Sequence, residues 1–261
     1  MSDVRSVTRA LKIFEVFAAH GAPMTLSELA SELKMPPSSC LQIIRTLLAR
    51  GYLYAPGHRS AYYPTQRLVD VAREIARNDP IIERIQPHLD RLRDMTHETV
   101  TLGKLQGKKL IYLAVAESRQ VVRASIRPGV LRPLHGTATG RALLATIDER
   151  QRKALVGGLE LEPMTDRTIV STDELSRDLE AVGRRGYAVN TGESVAGLSA
   201  VSVGSRLGDE VYAITVMGPS QRVDSKVEEY GRILVDDLPR IQLDVSGAAK
   251  WRAGATVVRQ A

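Results

Sequence analysis

Five residues between positions 38 and 45 combine the side chains that bind nucleic acids. They supply two hydroxyls, an amide, a guanidinium and one apolar group, from Ser38, Ser39, Gln42, Arg45 and Leu41. Hydroxyls, amides and guanidinium groups hydrogen-bond to base edges and phosphates, and an apolar side chain contacts a thymine methyl. Helical spacing places all five opposite an apolar stripe made by Cys40, Ile43, Ile44, Leu47 and Leu48. We therefore expect a helix that presents this face to duplex DNA.

Local signals predict the elements that hold this helix. Thr25 and Glu28 form a capping box, which predicts that a preceding helix begins at Leu26. The Pro36-Pro37 pair ends that first helix, and proline is favoured in the first turn of the next. Gly51 is suited to end the second helix. Two short helices joined by a tight turn are typical of a helix-turn-helix.

A hairpin and a further helix complete the pattern. Strands are predicted at 52–54 and 61–63, with His58 and Arg59 at the tip, where a wing would contact the minor groove or phosphates. A helix is predicted over 4–20, with Arg5, Arg9 and Lys12 outward. Its inward residues are expected to be Val7, Leu11, Phe14 and Phe17. Together these elements predict a winged helix-turn-helix.

The charge distribution agrees with a DNA-binding first part. The net charge is +6, with 36 Lys and Arg against 30 Asp and Glu. The excess lies in residues 1–79 and in the last fifteen residues, whereas the middle of the chain is neutral. Positive charge at these places favours attraction to phosphates, although a solvated basic face would give the same modest count.

The rest of the chain predicts a mixed domain. A linker helix is expected over 66–78 and another helix over 81–97. Strands are expected at 99–103, 110–115, 120–124, 187–192, 198–205 and 210–217, and helices at 137–146, 148–157, 172–185 and 221–245. Clusters of strands separated by helices predict an α+β domain around an antiparallel sheet.

No catalytic or metal-binding pattern emerges. His135 could act as a base, but it lacks a partner in the sequence, and a structural role is favoured. His88 and His97 are nine residues apart and fall on opposite sides of a helix, so they cannot share a metal. The single cysteine, Cys40, belongs to the apolar stripe and is expected to be a core residue. We predict no enzyme activity, no metal and no cofactor.

Several motifs resemble the IclR-type bacterial transcriptional regulators, over nearly the whole chain. They are SVTRALKIFEVF, LSELASELKMPPSSCLQIIRTLLARGYL, RPLHGTATGRALLA at 132–145, ELSRDLEAVGRRGYAVNTGESVAGLSAVSV at 174–203 and VYAITVMGPSQRV at 211–223. The resemblance implies a GAF-like effector-binding domain after the winged helix-turn-helix. It also implies dimers or dimers of dimers that control catabolic genes in response to a small organic acid.

The resemblance also implies the effector contacts. The matching positions are Ala138, Thr139, Asn190, Ala200, Thr215 and Met217. Helix-terminal amides from Gly136 to Thr139 would bind a carboxylate. The resemblance implies that some relatives have an acid where Asn190 stands, so we expect a less negative pocket here. Met217, Tyr187 and Tyr212 are candidates for its apolar and aromatic walls.

These observations predict four segments. They are a winged helix-turn-helix over 1–65, a linker helix over 66–79, an effector domain over 80–246 and a basic tail over 247–261. With no signal peptide or apolar span, we expect a cytoplasmic protein that binds a palindromic DNA operator. Two alternatives stay open. The chain could be a constitutive DNA-binding dimer with a degenerate sensor, or a small-molecule enzyme whose winged helix does not bind DNA.

Overall fold

The structure is a computed structural model that describes residues 4–57, 60–77, 80–207 and 210–249. The chain divides into two compact units, one ending at residue 78 and one beginning at residue 79. Each has its own hydrophobic core. No helix among the described residues is long and apolar enough to span a membrane.

The first unit consists of helices and a small antiparallel sheet. Its elements are α1 (Arg5–His20), β1 (Met24–Thr25), α2 (Leu26–Glu32), α3 (Pro37–Ala49), β2 (Leu53–Tyr54), β3 (Ala61–Pro64) and α4 (Arg67–Arg77). The strand order is β1-β3-β2, and Tyr54 pairs with Tyr63 across the predicted hairpin. His58 and Arg59, expected at the tip of this wing, lie outside the described residues.

Local capping positions α2 and α3. The Thr25 hydroxyl accepts from the Glu28 amide at 3.3 Å, and the Glu28 carboxylate accepts from the Thr25 amide at 2.7 Å. Pro37 is the first residue of α3. Gly51 follows the C-cap Arg50 in the left-handed conformation, with φ of +73°. The predicted capping box and both helix starts are confirmed.

The core of the first unit corrects one prediction. It contains Ile13 and Phe17 of α1 together with Leu29, Cys40 and Ile44. Val7 and Leu11, expected to face inward, are instead 56% and 59% exposed. Helix α1 has apolar residues on more than one side, and only the side with Ile13 and Phe17 packs against α2 and α3. The prediction of the inward face was therefore wrong for Val7 and Leu11.

The second unit is built on a six-stranded antiparallel sheet with helices on both faces, a GAF-like arrangement. The strand order is β6-β5-β4-β9-β8-β7. Its elements are α5 (Pro80–Thr96), β4 (Thr99–Gln106), β5 (Lys109–Ala116), β6 (Leu131–Pro133), α6 (Ala138–Thr146), α7 (Glu149–Val156), α8 (Thr172–Arg185), β7 (Ala188–Thr191), β8 (Leu198–Leu207), β9 (Glu210–Pro219), α9 (Ser220–Val223), a 3₁₀ turn (Asp224–Lys226) and α10 (Val227–Ala249).

The alternation of side chains along the strands gives the sheet two cores. Val100 and Leu102 of β4 pack with α5 and α10 on one face. Gly103 faces the other side, where a Cβ at its position would lie 2.5 Å from Thr139 Cγ2 of α6. The α6 side therefore approaches the middle of the sheet closely.

The predicted strand at 120–124 is wrong. This stretch is irregular, and the strand beside β5 is β6, in which Arg132 pairs with Leu110. Side chains bind its carbonyls instead of a neighbouring strand, since Thr99 donates to the Ala124 carbonyl at 2.6 Å and Arg222 donates to the Val122 carbonyl at 3.0 Å. The predicted last helix is also divided, because α9 and the 3₁₀ turn precede α10.

Candidate functional site

The predicted DNA-contacting face of α3 lies at the surface of the first unit. Ser38, Gln42 and Arg45 are exposed, and Ser39 and Leu41 are half-buried. Cys40 and Ile44 on the opposite side are fully buried, so core packing orients the helix. Helix α3 contains no acidic residue. Its outer face therefore offers donors and a positive charge without a competing carboxylate.

Of the three other predicted DNA contacts, Arg5 lies among the described residues, and His58 and Arg59 lie outside them. Arg5 is the first residue of α1 and is exposed. The fold does not link it to the α3 face by any hydrogen bond between described residues. The buried thiol of Cys40 has a raised pKa because burial disfavours its thiolate. Its side chain is 0% exposed and packs in the core of the first unit, which confirms the prediction for Cys40.

The second unit contains a cavity of about 650 Å³, including the space at its open mouth. It is bounded by the first turn of α6, strands β5 to β9 on the same face of the sheet, and the loops before β6 and β8. The residues that line it are Tyr112, Ala124, Ser125, Ile126, Arg132, Thr137, Ala138, Thr139, Met164, Asn190, Ser194, Val195, Leu198, Ser199, Ala200 and Met217.

Five of the seven predicted effector residues line this cavity. They are Ala138, Thr139, Asn190, Ala200 and Met217. The other two, Gly136 and Thr215, lie behind the wall. The Gly136 carbonyl accepts from Asn190 Nδ2 at 2.8 Å, and Thr215 Oγ1 lies 2.8 Å from Thr139 Oγ1. Both residues therefore support the wall and do not face the cavity.

Asn190 is a structural bridge as well as a wall residue. It is 2% exposed, and its amide donates to Gly136 before α6 while its Oδ1 accepts from the Glu193 amide at 3.2 Å. A carboxylate there would retain the acceptor for Glu193 but would lose the donor to Gly136. The neutral amide thus connects the start of α6 to the loop after β7.

The sequence analysis missed several wall residues, and Tyr112 and Arg132 are the two that bear most on ligand binding. Tyr112 faces the cavity because a β-bulge between Leu102 and Gly103 shifts the register of β4 and β5. Arg132 lies on β6, a strand that the sequence analysis did not predict. Alternation along β5 could have suggested Tyr112, but no local signal locates a bulge. The sequence therefore could not identify the cavity's aromatic residue.

The expected aromatic residues are used elsewhere. The ring of Tyr187 packs against Gly231 of α10, and Tyr212 lies in the core on the α5 side of the sheet. Lys104 Nζ is 5.4 Å from the centre of the Tyr212 ring. The prediction that Tyr187 or Tyr212 forms a wall of the cavity was wrong, and Tyr112 takes that place.

The cavity is suited to an anion. Among the described residues that line it, Arg132 is the single charged side chain. Burial raises the pKa of the Tyr112 hydroxyl, against smaller opposing effects of the Thr139 hydrogen bond and the Arg132 charge. Tyr112 is therefore a neutral hydroxyl at physiological pH. One cation and several hydroxyls with no carboxylate favour a negatively charged ligand.

The first turn of α6 adds backbone donors. Thr137 is its N-cap, and the Thr137 hydroxyl accepts from the Gly140 amide at 3.1 Å. The amides of Ala138 and Thr139 precede the first intrahelical donor, and no bond from them to a described residue is seen. Both residues line the cavity. Their amides can therefore donate to a bound carboxylate.

A buried ion pair holds the loop beside the cavity. Arg141 of α6 is 1% exposed and donates to both carboxylate oxygens of Glu193 at 2.8 Å. It also donates to the Val189 carbonyl at 2.5 Å and lies 3.3 Å from Asp178. Because Glu193 precedes the wall residues Ser194 and Val195, this pair joins α6 to the cavity wall.

His135 and His88 have structural partners. His135 is buried, and its Nε2 lies 3.0 Å from the Glu162 carbonyl. His88 Nε2 lies 2.9 Å from Asp244 of α10. No group of three or more His, Cys, Asp or Glu side chains in the described part of the chain is placed to bind a metal.

Comparison with known proteins matches both units. Residues 6–57 match the IclR helix-turn-helix domain, and residues 73–238 match the bacterial transcriptional regulator IclR C-terminal domain. The chain belongs to the IclR family of bacterial transcriptional regulators. As an IclR-family protein it is a DNA-binding, ligand-responsive regulator and not an enzyme.

Individual IclR-family proteins show the same extent of similarity. The transcriptional regulator BhcR of Paracoccus denitrificans is 31% identical over 84% of this chain and 79% of its own length. KdgR of Escherichia coli is 29% identical over 88% of this chain and 89% of its own. The crystal structure of Thermotoga maritima IclR has a TM-score of 0.78 at 25% identity and covers 94% of this chain and 100% of that one. The IclR-family fold therefore extends over nearly the whole chain.

Proposed function

We propose that this regulator reads its operator with the exposed face of α3. Ser38, Ser39, Leu41, Gln42 and Arg45 would enter the major groove, where hydroxyl, amide and guanidinium groups distinguish bases. The observation that carries this assignment is the burial of Cys40 and Ile44, which turns Ser38, Gln42 and Arg45 to the surface and leaves Ser39 and Leu41 half-buried beside them. The remaining contacts assigned to the phosphates or the minor groove are Arg5, His58 and Arg59.

The effector in this proposal is a small organic acid bound in the cavity of the second unit. Its carboxylate accepts from the amides of Ala138 and Thr139, and the charge of Arg132 attracts it. Ala200 and Met217 contact its apolar part. Gly136, Asn190 and Thr215 hold these groups in place through the bonds described above.

Regulation then follows from linkage between two binding equilibria. An effector that binds one arrangement of a dimer more tightly shifts the spacing of its two recognition helices on a palindromic operator. Coupling of about 1–3 kcal/mol would change operator affinity roughly 5- to 150-fold. Val4, just before α1, and Val7 and Leu11 on α1 form an exposed apolar stripe, which supports self-association of the first unit. A cytoplasmic location is part of the same proposal.

The decisive experiment measures binding to the intergenic DNA beside the regulator's own gene. A scrambled duplex is the control, and both are measured at low and physiological salt. Tight binding to the native duplex alone at physiological salt supports operator recognition, whereas equal, salt-sensitive binding to both contradicts it. The same duplex then serves to screen organic acids. An operator complex indifferent to every acid would favour a constitutive regulator with a degenerate sensor.

Arg45→Ala tests the recognition face directly. We expect the free energy of operator binding to weaken by about 1–3 kcal/mol if Arg45 contacts a guanine edge, and a flatter salt dependence if it contacts phosphate. Lys153→Ala, which removes an equal charge from the exposed surface of the second unit, is the control. Unchanged operator affinity in Arg45→Ala would contradict both assignments.

A further inference from the structure

A row of hydroxyls runs from the cavity into the sheet. Tyr112 Oη lies 3.4 Å from Thr139 Oγ1, which lies 2.8 Å from Thr215 Oγ1. Thr215 Oγ1 in turn lies 2.8 Å from Ser202 Oγ, and the Ser202 hydroxyl donates to the Ile214 carbonyl at 3.2 Å. The first two residues line the cavity, and the other hydroxyls lie behind it.

The Ile214 carbonyl at the inner end decides in which direction the hydroxyls of this row donate their hydrogen bonds. Each hydroxyl has one hydrogen, and a carbonyl can only accept. If Ser202 donates to Ile214, then Thr215 donates to Ser202 and Thr139 donates to Thr215, which leaves Tyr112 to donate to Thr139. The reverse order loses the Ser202–Ile214 bond. The order that points away from the cavity therefore has one more hydrogen bond and is favoured.

This order makes the Thr139 hydroxyl an acceptor toward the cavity. Its hydrogen is committed to Thr215, and it keeps a lone pair beyond the one that Tyr112 uses. The backbone amide of the same residue is a donor in the first turn of α6. Thr139 thus presents an acceptor and a donor at one place in the wall.

We propose that the effector is a hydroxycarboxylic acid whose hydroxyl, next to the carboxylate, donates to Thr139. This inference rests on the proposed acid-binding function of the cavity. A 2-hydroxy acid matches both groups, because its carboxylate accepts from the amides of Ala138 and Thr139 while its hydroxyl donates to Thr139 Oγ1. The corresponding 2-keto acid has a carbonyl oxygen in place of the hydroxyl. That oxygen can only accept, and it would face Thr139 Oγ1, which also accepts toward the cavity. It binds well only if the row reverses and gives up the bond to Ile214.

The test compares matched acids on the full-length protein by isothermal titration calorimetry. The probes are L- and D-lactate, pyruvate and propionate, together with the larger set of both mandelates, phenylglyoxylate and phenylacetate. Within at least one set, we expect the better enantiomer of the hydroxy acid to bind about two- to tenfold more tightly than the keto acid, the worth of one hydrogen bond. Equal binding, or tighter binding of the keto acid in both sets, overturns the inference.

Variants in the row test its direction. Thr215→Val removes the acceptor for Thr139, so the Thr139 hydrogen turns to the cavity, and the preference for the hydroxy acid should fall to about one or invert. Ser202→Ala should act in the same direction, because Thr215 then donates to Thr139. Thr146→Val is the control, since the Thr146 hydroxyl bonds only within α6, to Ala142 at 2.7 Å. An unchanged preference in a folded Thr215→Val or Ser202→Ala protein contradicts the proposed order.

The outcomes separate this inference from the function on which it rests. Acids that bind without discriminating hydroxyl from keto leave the acid pocket standing and overturn the hydroxy-acid assignment alone. No binding by any acid of either set overturns both. The ratio of hydroxy-acid to keto-acid affinity in the wild-type protein tests the inference by itself, so the test does not depend on the stability of a variant.

Discussion

The buried Arg141 depends on its ion-pair partners for the stability of the second unit. Its guanidinium is buried, and Glu193 supplies two of its hydrogen bonds. Removing one partner of a buried ion pair leaves an uncompensated charge in a low-dielectric site. We predict that Glu193→Ala lowers the free energy of unfolding of the second unit by on the order of 3 kcal/mol, with Asp178 limiting the loss, as measured by urea denaturation.

The surface pair of Glu149 and Lys153 provides the comparison. Its side chains are 66% and 76% exposed, so water screens the attraction. Glu149→Ala should therefore have a much smaller effect on unfolding than Glu193→Ala. Similar effects of the two substitutions would mean that the Arg141–Glu193 pair does not hold the loop.

Glu28 predicts a pH dependence for the first unit. The Thr25 amide, and secondly the Thr25 hydroxyl, hold the pKa of this carboxyl below its ordinary 4.5. A lowered pKa in the folded state contributes stability that is complete above the unfolded value and is lost as the pH falls through the folded value. Wild type should exceed Glu28→Gln in unfolding free energy at pH 7, and the difference should shrink as the pH falls below 4.5 and through the lowered pKa of the folded state.

Denaturation of both proteins between pH 3 and 7 measures this difference. Glu32→Gln, an exposed position on α2 outside the capping box, is the matched control and should show no such loss. A difference between wild type and Glu28→Gln that stays constant across this range would contradict the role of the carboxylate in the cap.

At the scale of elements, the first turn of α6 depends on a glycine. A Cβ at Gly140 would lie 2.5 Å from Leu134 Cα and closer still to the Leu134 carbonyl oxygen. Backbone cannot yield as a flexible side chain can, so Gly140→Ala should destabilise the second unit by about 1–3 kcal/mol or more. Thermal or urea unfolding measures the loss.

Gly183 in α8 is the matched control. A Cβ there meets nothing within 4 Å, and the position is helical. Because alanine favours helix over glycine, Gly183→Ala should stabilise the unit by up to about 1 kcal/mol. Equal effects of Gly140→Ala and Gly183→Ala on unfolding would mean that the close approach of α6 to Leu134 does not affect the stability of the second unit.

The elements differ in how far the sequence predicted them. The capping box, Pro37 and helical periodicity are local, and α2, α3 and α8 were predicted nearly to their ends. The segment 117–130 was not, because the adjacent β-branched residues Val121 and Val122 favour a strand whether or not a partner strand is available. Val121 is instead 93% exposed, and side chains from distant positions bind the neighbouring carbonyls.

At the scale of the whole molecule, the proposed dimer assigns the exposed apolar stripe of α1 to the contact between protomers. We predict that Leu11→Glu, which places a charge on the stripe of Val4, Val7 and Leu11, weakens self-association and operator binding together. Burial of an unpaired carboxylate in an apolar contact is unfavourable. Sedimentation equilibrium measures the first effect, and the operator duplex measures the second.

Lys12→Glu is the control for the new charge, because Lys12 is exposed on α1 to the side of this stripe. It should leave self-association unchanged. A Leu11→Glu protein that associates as wild type does would assign the dimer contact to another surface and would remove α1 from the proposal.

The sequence by itself determined the helix-turn-helix, the outward face of α3 and the α+β class of the second unit, and its resemblance to the IclR family implied five of the residues that line the cavity. These depend on periodicity, capping and motifs within short segments. Only the tertiary structure decided which face of α1 is buried, that Gly136 and Thr215 stand behind the wall, and that Tyr112 and Arg132 stand in it. Those outcomes depend on a β-bulge, on strand pairing and on contacts between residues distant in the chain, which no local pattern encodes.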